Sequence, residues 1–130
     1  MKPGHRELLE ELQPARRVLV VDDHPSFRRC ARALLTAEGF EVVGEAEDGT
    51  TALALAAELE PELVLLDVQL PDVDGFEVTS RLLARDPELK VVLVSSRERT
   101  AYGEVVATCG ACGFISKGDL SGSALERLFE

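Results

Sequence analysis

The sequence predicts an α/β protein: a mostly parallel sheet with helices on both faces. Two observations predict it. Short apolar runs alternate with helix-patterned stretches five times along 130 residues, at roughly 20–25 residues per unit, the spacing of strand–helix crossovers. The strongest run, Leu-Val-Leu-Leu at 63–66, has no polar break and is bounded by turn residues, as expected of a strand buried on both faces.

Each element has its own signals. Residues 1–16 carry mixed charge with Leu8, Leu9 and Leu12 at helical spacing and Pro14 as a stop; they read as an N-terminal arm. A strand at 18–21 ends on Asp22 and Asp23. Pro25 and Ser26 open a helix in which Phe27, Cys30, Ala31, Leu34 and Leu35 share a face, and Gly39 closes it. A strand follows at 42–46, then an Asp48-Gly49 turn and an Ala- and Leu-rich helix over 50–59 stopped before Pro61. The run at 63–66 ends on Asp67. Pro71, Asp72, Asp74 and Gly75 make a loop, and a helix spans 75–84. A strand at 91–94 ends in Ser95 and Ser96, a helix covers 101–109, and a strand at 113–116 ends at Lys117. Ser123 and Glu126 fit a capping box for the last helix.

Composition narrows the function. One domain is expected at 130 residues, with 45% hydrophobic and 29% charged residues. A net charge of −10 argues against direct nucleic-acid binding, which needs a basic face. No apolar run approaches the ~18 residues of a membrane span, and no signal peptide is visible, so a cytoplasmic protein is expected. Three cysteines, an odd number, argue against a disulfide framework. Cys109 and Cys112 form a C-x-x-C, but at a helix-to-strand turn and without two further zinc ligands; they read as small core residues.

The polar residues that end the runs carry the chemistry. Asp22 and Asp23, Asp67, Ser95 and Lys117 each follow an apolar run, and in a doubly wound sheet these ends open on one edge. Three converging carboxylates repel one another. A hard dication with oxygen ligands relieves this, and Mg²⁺ suits such a site. Three aspartates, Mg²⁺ and Lys117 sum to zero charge. A metal, a cation, a hydroxyl donor and a carboxylate nucleophile together suit transfer of a phosphoryl group to an aspartate.

With V-V-D-D-H-P-S-F-R-R, L-V-L-L-D-V-Q-L-P-D-V-D-G, V-V-L-V-S-S and G-F-I-S-K in place, residues 17–130 resemble the receiver domain of two-component response regulators. The resemblance implies a flavodoxin-like (βα)₅ sheet in the order 2-1-3-4-5. It implies Asp67 as phosphoacceptor, and Mg²⁺ held by Asp23, Asp67 and the backbone carbonyl of Gln69, with Asp22 acting through a metal-bound water. Ser95 is the implied switch hydroxyl, Phe114 the switch aromatic, and Lys117 the partner of the phosphoryl oxygens. The implied protein is a signalling module rather than an enzyme. A sensor histidine kinase or a phosphotransfer protein would phosphorylate it. It would meet an output protein, or a second copy, through the 101–130 face, with Tyr102 as an exposed anchor.

The motifs are closest to receivers fused to helix-turn-helix domains. Residues 118–130 are taken up by the last helix, so a stand-alone receiver is expected over a fragment. Gly118 stands where the family commonly has a cis-proline, which leaves the Lys117–Gly118 bond open between cis and trans. His24 reads as a loop residue near the site, Asp72 and Asp74 as turn formers, and Arg28, Arg29 and Arg32 as a solvated face. Two other functions compete. A Mg²⁺-dependent aspartyl phosphohydrolase would want a general acid where Gln69 stands, and an inactive flavodoxin-like docking domain would not need Asp23, Asp67, Ser95 and Lys117 intact.

Overall fold

The computed structural model describes residues 15–127; the helical spacing read within the N-terminal arm, at Leu8, Leu9 and Leu12, lies outside the described residues. Strands β1 (Arg17–Val21), β2 (Glu41–Ala46), β3 (Leu63–Asp67), β4 (Lys90–Ser95) and β5 (Gly113–Ser116) form one sheet in the order β2-β1-β3-β4-β5, every pair parallel. Helices α1 (Pro25–Ala37), α2 (Gly49–Leu59), α3 (Gly75–Arg85), α4 (Val105–Thr108) and α5 (Gly122–Arg127) alternate with them.

The three central strands, β1, β3 and β4, are apolar along their buried stretches because alternate side chains enter two different cores. Leu19, Val21, Val64, Leu66, Val91 and Leu93 pack with Ala52 of α2 and with Val78 and Leu82 of α3. Val18, Val20, Leu63, Leu65, Val92 and Val94 pack with Ala31 and Leu35 of α1 and with Leu125 of α5. Fully burying a Leu or Val stabilises by about 1.5–3 kcal/mol, so these two layers hold the sheet rigid beneath the loops.

The local signals act as the residue types require. Asp48 accepts a hydrogen bond from the Thr51 N–H and caps α2, and Asp74 accepts one from the Glu77 N–H and caps α3. Asp72 accepts hydrogen bonds from the Thr50 hydroxyl and from the Gly49, Thr50 and Val73 N–H groups. It ties the loop after β3 to the start of α2, and these donors, the hydroxyl first, hold its carboxyl well below the usual carboxylate range. Asp72 and Asp74 are thus turn and cap residues.

Four expectations need correction. The helix expected over 101–109 is broken into a 3₁₀ turn, Arg99–Tyr102, and the short α4, because Gly103 between them takes a φ of 64° that helices do not use. The last helix is capped by Ser121, whose Oγ accepts from the Ala124 N–H at 3.1 Å, and Ser123 lies inside the helix. Cys109 packs against the core, but Cys30 and Cys112 are exposed. Arg28 is no solvated residue: its side chain is 17% exposed and its Nε is 3.1 Å from Glu45 Oε1. The Lys117–Gly118 bond is trans.

Candidate functional site

Connections leave β1 and β3 toward opposite faces of the sheet, α1 going to one side and α3 to the other. Adjacent strands that part in this way open a crevice at their carboxyl ends. Asp22 stands at the end of β1 and Asp67 at the end of β3, with relative exposures of 0% and 3%. Beside them lie Ser95, ending β4 at 0% exposure, and Lys117, directly after β5. Asp23 is the accessible carboxylate of the set, its side chain 37% exposed.

Lys117 reaches across the crevice to both buried carboxylates. Its Nζ is 2.6 Å from Asp22 Oδ2 and 3.4 Å from Asp67 Oδ2. It also lies 4.5 Å from the centre of the Phe27 ring, a favourable place for a cation. Burial opposes its charge, but the two carboxylates outweigh burial and hold its pKa above the ordinary lysine value.

Asp22 is fixed from the α1 side. Its Oδ1 accepts from the His24 N–H at 2.8 Å and faces His24 Nδ1 at 3.0 Å. Its backbone carbonyl accepts from Arg28 Nη1 at 2.6 Å. Its Oδ2 is held by the Lys117 ammonium. Asp67 Oδ1 accepts from the Gln69 N–H at 3.1 Å. Burial, and then the charge of Asp22, push the Asp67 carboxyl up to about 6, against the pull of the Gln69 N–H and Lys117.

The donor set fits a hard divalent cation. Ligand atoms of Asp22, Asp23, His24 and Asp67 all lie within 4.8 Å of one another, and oxygen donors dominate, as Mg²⁺ prefers. His24 therefore stands closer to the centre than a bystander in a loop, its Nδ1 also 3.1 Å from Asp23 Oδ1.

Gly75 packs against the end of β3. Its N–H donates to the Val68 carbonyl at 2.7 Å. A Cβ at this position would lie 2.5 Å from the Asp67 carbonyl oxygen and 2.7 Å from Val68 Cα. Those are backbone atoms, so the Asp67 loop itself would have to shift. Gly75→Ala is expected to destabilise the protein by about 1–3 kcal/mol, read from the denaturant midpoint, and to weaken Mg²⁺ binding with it. An unchanged midpoint would show that the loop gives way freely.

The family model for the response regulator receiver domain matches residues 18–126. The chain belongs to that family. Among curated relatives, the response regulator GacA of Pseudomonas aeruginosa is 43% identical over 103 residues, 78% of this chain and 48% of GacA. The virulence regulator BvgA of Bordetella pertussis is 39% identical over 101 residues, again 78% of this chain and 48% of the relative. The chain thus spans about half the length of the curated relatives it matches. Among solved structures, the receiver domain of NarL from Mycobacterium tuberculosis superposes with a TM-score of 0.77 at 34% identity, covering 89% of this chain and 98% of that one.

The receiver brings together Asp22, Asp67 and Lys117 in direct contact, with Asp23 at the rim. Gln69 contributes its N–H, and Ser95 is buried at the neighbouring strand end. Phe114 sits in β5 against the ring of Tyr102, centroids 5.9 Å apart. Tyr102 itself is a correction. Expected as an exposed anchor, it is half-buried between Phe76, 5.5 Å away, and Phe114, with its hydroxyl 2.5 Å from Ser95 Oγ. A signal for this existed, since Tyr102, Val106 and Cys109 recur at helical spacing and the last two face the core. The roles of Arg28, Phe27 and Gly75 at the site had no such signal.

Proposed function

We propose that the receiver is phosphorylated on Asp67 and signals by a change in its α4–β5–α5 surface. The observation that carries this reading is a buried aspartate at a strand end, held at 3.4 Å from a lysine ammonium that a second buried aspartate shares. A carboxylate in that setting is shielded from water and short of counter-charge, and a phosphoryl group with its cation would complete it.

Asp23, Asp67 and the Gln69 carbonyl would hold Mg²⁺, with Asp22 reached through a bound water. When bound, the ion would neutralise the crowded carboxylates and the oxygens of the incoming phosphoryl group. Asp67 then attacks phosphorus with a carboxylate oxygen, and the phosphohistidine nitrogen of a sensor kinase or phosphotransfer protein leaves. Lys117 pairs with one phosphoryl oxygen, and the Ser95 hydroxyl donates to another. A phosphoryl group brings about −1.5 to −2 charge, and the pull it exerts on Ser95 moves the segment that follows β4. Phe114 shares its ring cluster with that segment, so the 101–130 face is the surface offered to an output protein or a second copy. The setting of this exchange is the cytoplasm.

Incubation with Mg²⁺ and acetyl phosphate, read by intact mass, tests this. The wild type is expected to gain one phosphoryl group, Asp67→Asn none, and Asp23→Ala at least tenfold less. Full phosphorylation of Asp67→Asn would move the acceptor elsewhere. Turnover of acetyl phosphate without an adduct would favour a phosphohydrolase.

A further inference from the structure

The Ser95 hydroxyl has one proton to give and two lone pairs, and Ser95 is fully buried. The Arg97 N–H donates to its Oγ at 3.0 Å, which takes one lone pair. Its other partner among the described residues is the Tyr102 hydroxyl. A buried donor left without an acceptor is costly. Either hydroxyl could donate in this pair; donation by Ser95 leaves no buried proton unpaired, since the phenol proton of half-buried Tyr102 can turn to water. A phosphoryl oxygen on Asp67 would need that same Ser95 proton.

We infer that Tyr102 is a positioning residue of the phosphoryl site: at rest its oxygen holds the Ser95 proton, and occupation of Asp67 takes that proton and frees Tyr102. This rests on the phosphoacceptor reading above and deepens it. Phe114, the aromatic on β5, has no hydroxyl to offer, and Tyr102 supplies one from the segment after β4. Its ring touches Phe76 of α3 on one side and Phe114 of β5 on the other. Tyr102 is also the last residue of the Arg99–Tyr102 turn, directly before the break at Gly103. Release of the hydroxyl therefore loosens the link between the β4 end and α4, and shifts a ring that touches two further elements. The competition also lowers the site's affinity for a phosphoryl group, because part of each binding event is spent displacing Tyr102.

The chain contains one tyrosine and no tryptophan, so its tyrosine fluorescence reports on Tyr102 alone. Beryllofluoride with Mg²⁺ serves as the phosphoryl probe, and its binding is followed by calorimetry in wild type, Tyr102→Phe, Ser95→Ala and the double variant. The phenylalanine keeps the ring and removes the acceptor. Tyr102→Phe is expected to half-saturate at roughly two- to tenfold lower beryllofluoride, the range of one hydrogen bond. In the Ser95→Ala background the same change is expected to have no effect. Tyrosine fluorescence is expected to change on beryllofluoride addition in the wild type and to stay constant in Ser95→Ala. Affinity in Tyr102→Phe equal to or weaker than wild type would overturn the proposal, as would an equal gain without Ser95. Wild type that binds no beryllofluoride would instead overturn the phosphoacceptor reading, and the role of Tyr102 with it.

Discussion

Asp67→Asn is expected to melt several degrees above the wild type in metal-free buffer at pH 7. The Asp67 carboxyl is pushed up to about 6 by burial and by Asp22, while an unfolded aspartate titrates near 3.9. The folded protein then binds more protons than the unfolded chain between about pH 4 and pH 6. Stability is lost as pH rises through that window, and above it the full penalty of the buried charge remains. Two pKa units correspond to about 3 kcal/mol, so a gain on the order of 1–3 kcal/mol is expected for the neutral Asn. The gap between the two proteins should open between pH 4 and pH 6 and close below pH 4, where both side chains are neutral. Thermal melts in EDTA across that range check it. A variant that melts lower than wild type at pH 7 would show that Lys117 more than offsets the repulsion.

Lys117→Met is expected to act in the opposite direction. Methionine keeps much of the length that packs on Phe27 and removes the charge shared by Asp22 and Asp67. Asp22 is fully buried and the lysine side chain is 17% exposed, so the carboxylates are left with little water to replace it. Breaking a buried pair by removing one partner typically costs about 3–5 kcal/mol; partial exposure of the lysine places this loss at about 2–4 kcal/mol in EDTA at pH 7. Two signatures distinguish lost charge from lost packing. The deficit should shrink toward pH 5, where protonation of Asp67 removes one of the charges. It should also shrink on adding Mg²⁺, because a ligand that binds only the folded state stabilises it and a site without lysine has more uncompensated negative charge to offer. Urea denaturation with and without Mg²⁺ measures both. A deficit indifferent to pH and metal would assign Lys117 a packing role.

How much of this was visible in the sequence differs from residue to residue. Asp67 was readable because an apolar run and a loop rich in Pro, Asp and Gly bracket it, and both signals are local. Helices α1, α2 and α3 were readable for the same reason, the stops of α1 at Gly39 and of α2 before Pro61 and the turn residues before α3 being matters of local backbone preference. The helix expected over 101–109 was misread because its apolar spacing is helical, while a single Gly103 at a φ of 64° decides against continuity. Ser121 and Ser123 both carry a hydroxyl, and which of them caps α5 depends on where Leu125 must lie to reach the sheet.

The sequence by itself determined the five-fold strand–helix alternation, the two-sided burial of the strand at 63–66 and the polar residues that end four of the five strands. Those follow from side-chain type and spacing, which act over a few residues. Only the tertiary structure decided that Lys117 pairs more closely with Asp22 than with Asp67, that Arg28 anchors the Asp22 carbonyl, that Gly75 sits against the Asp67 backbone, and that Tyr102 turns inward to Ser95. Each of these joins parts of the chain carried by different elements, and whether they meet is set by the packing of helices on the sheet rather than by any neighbour in sequence.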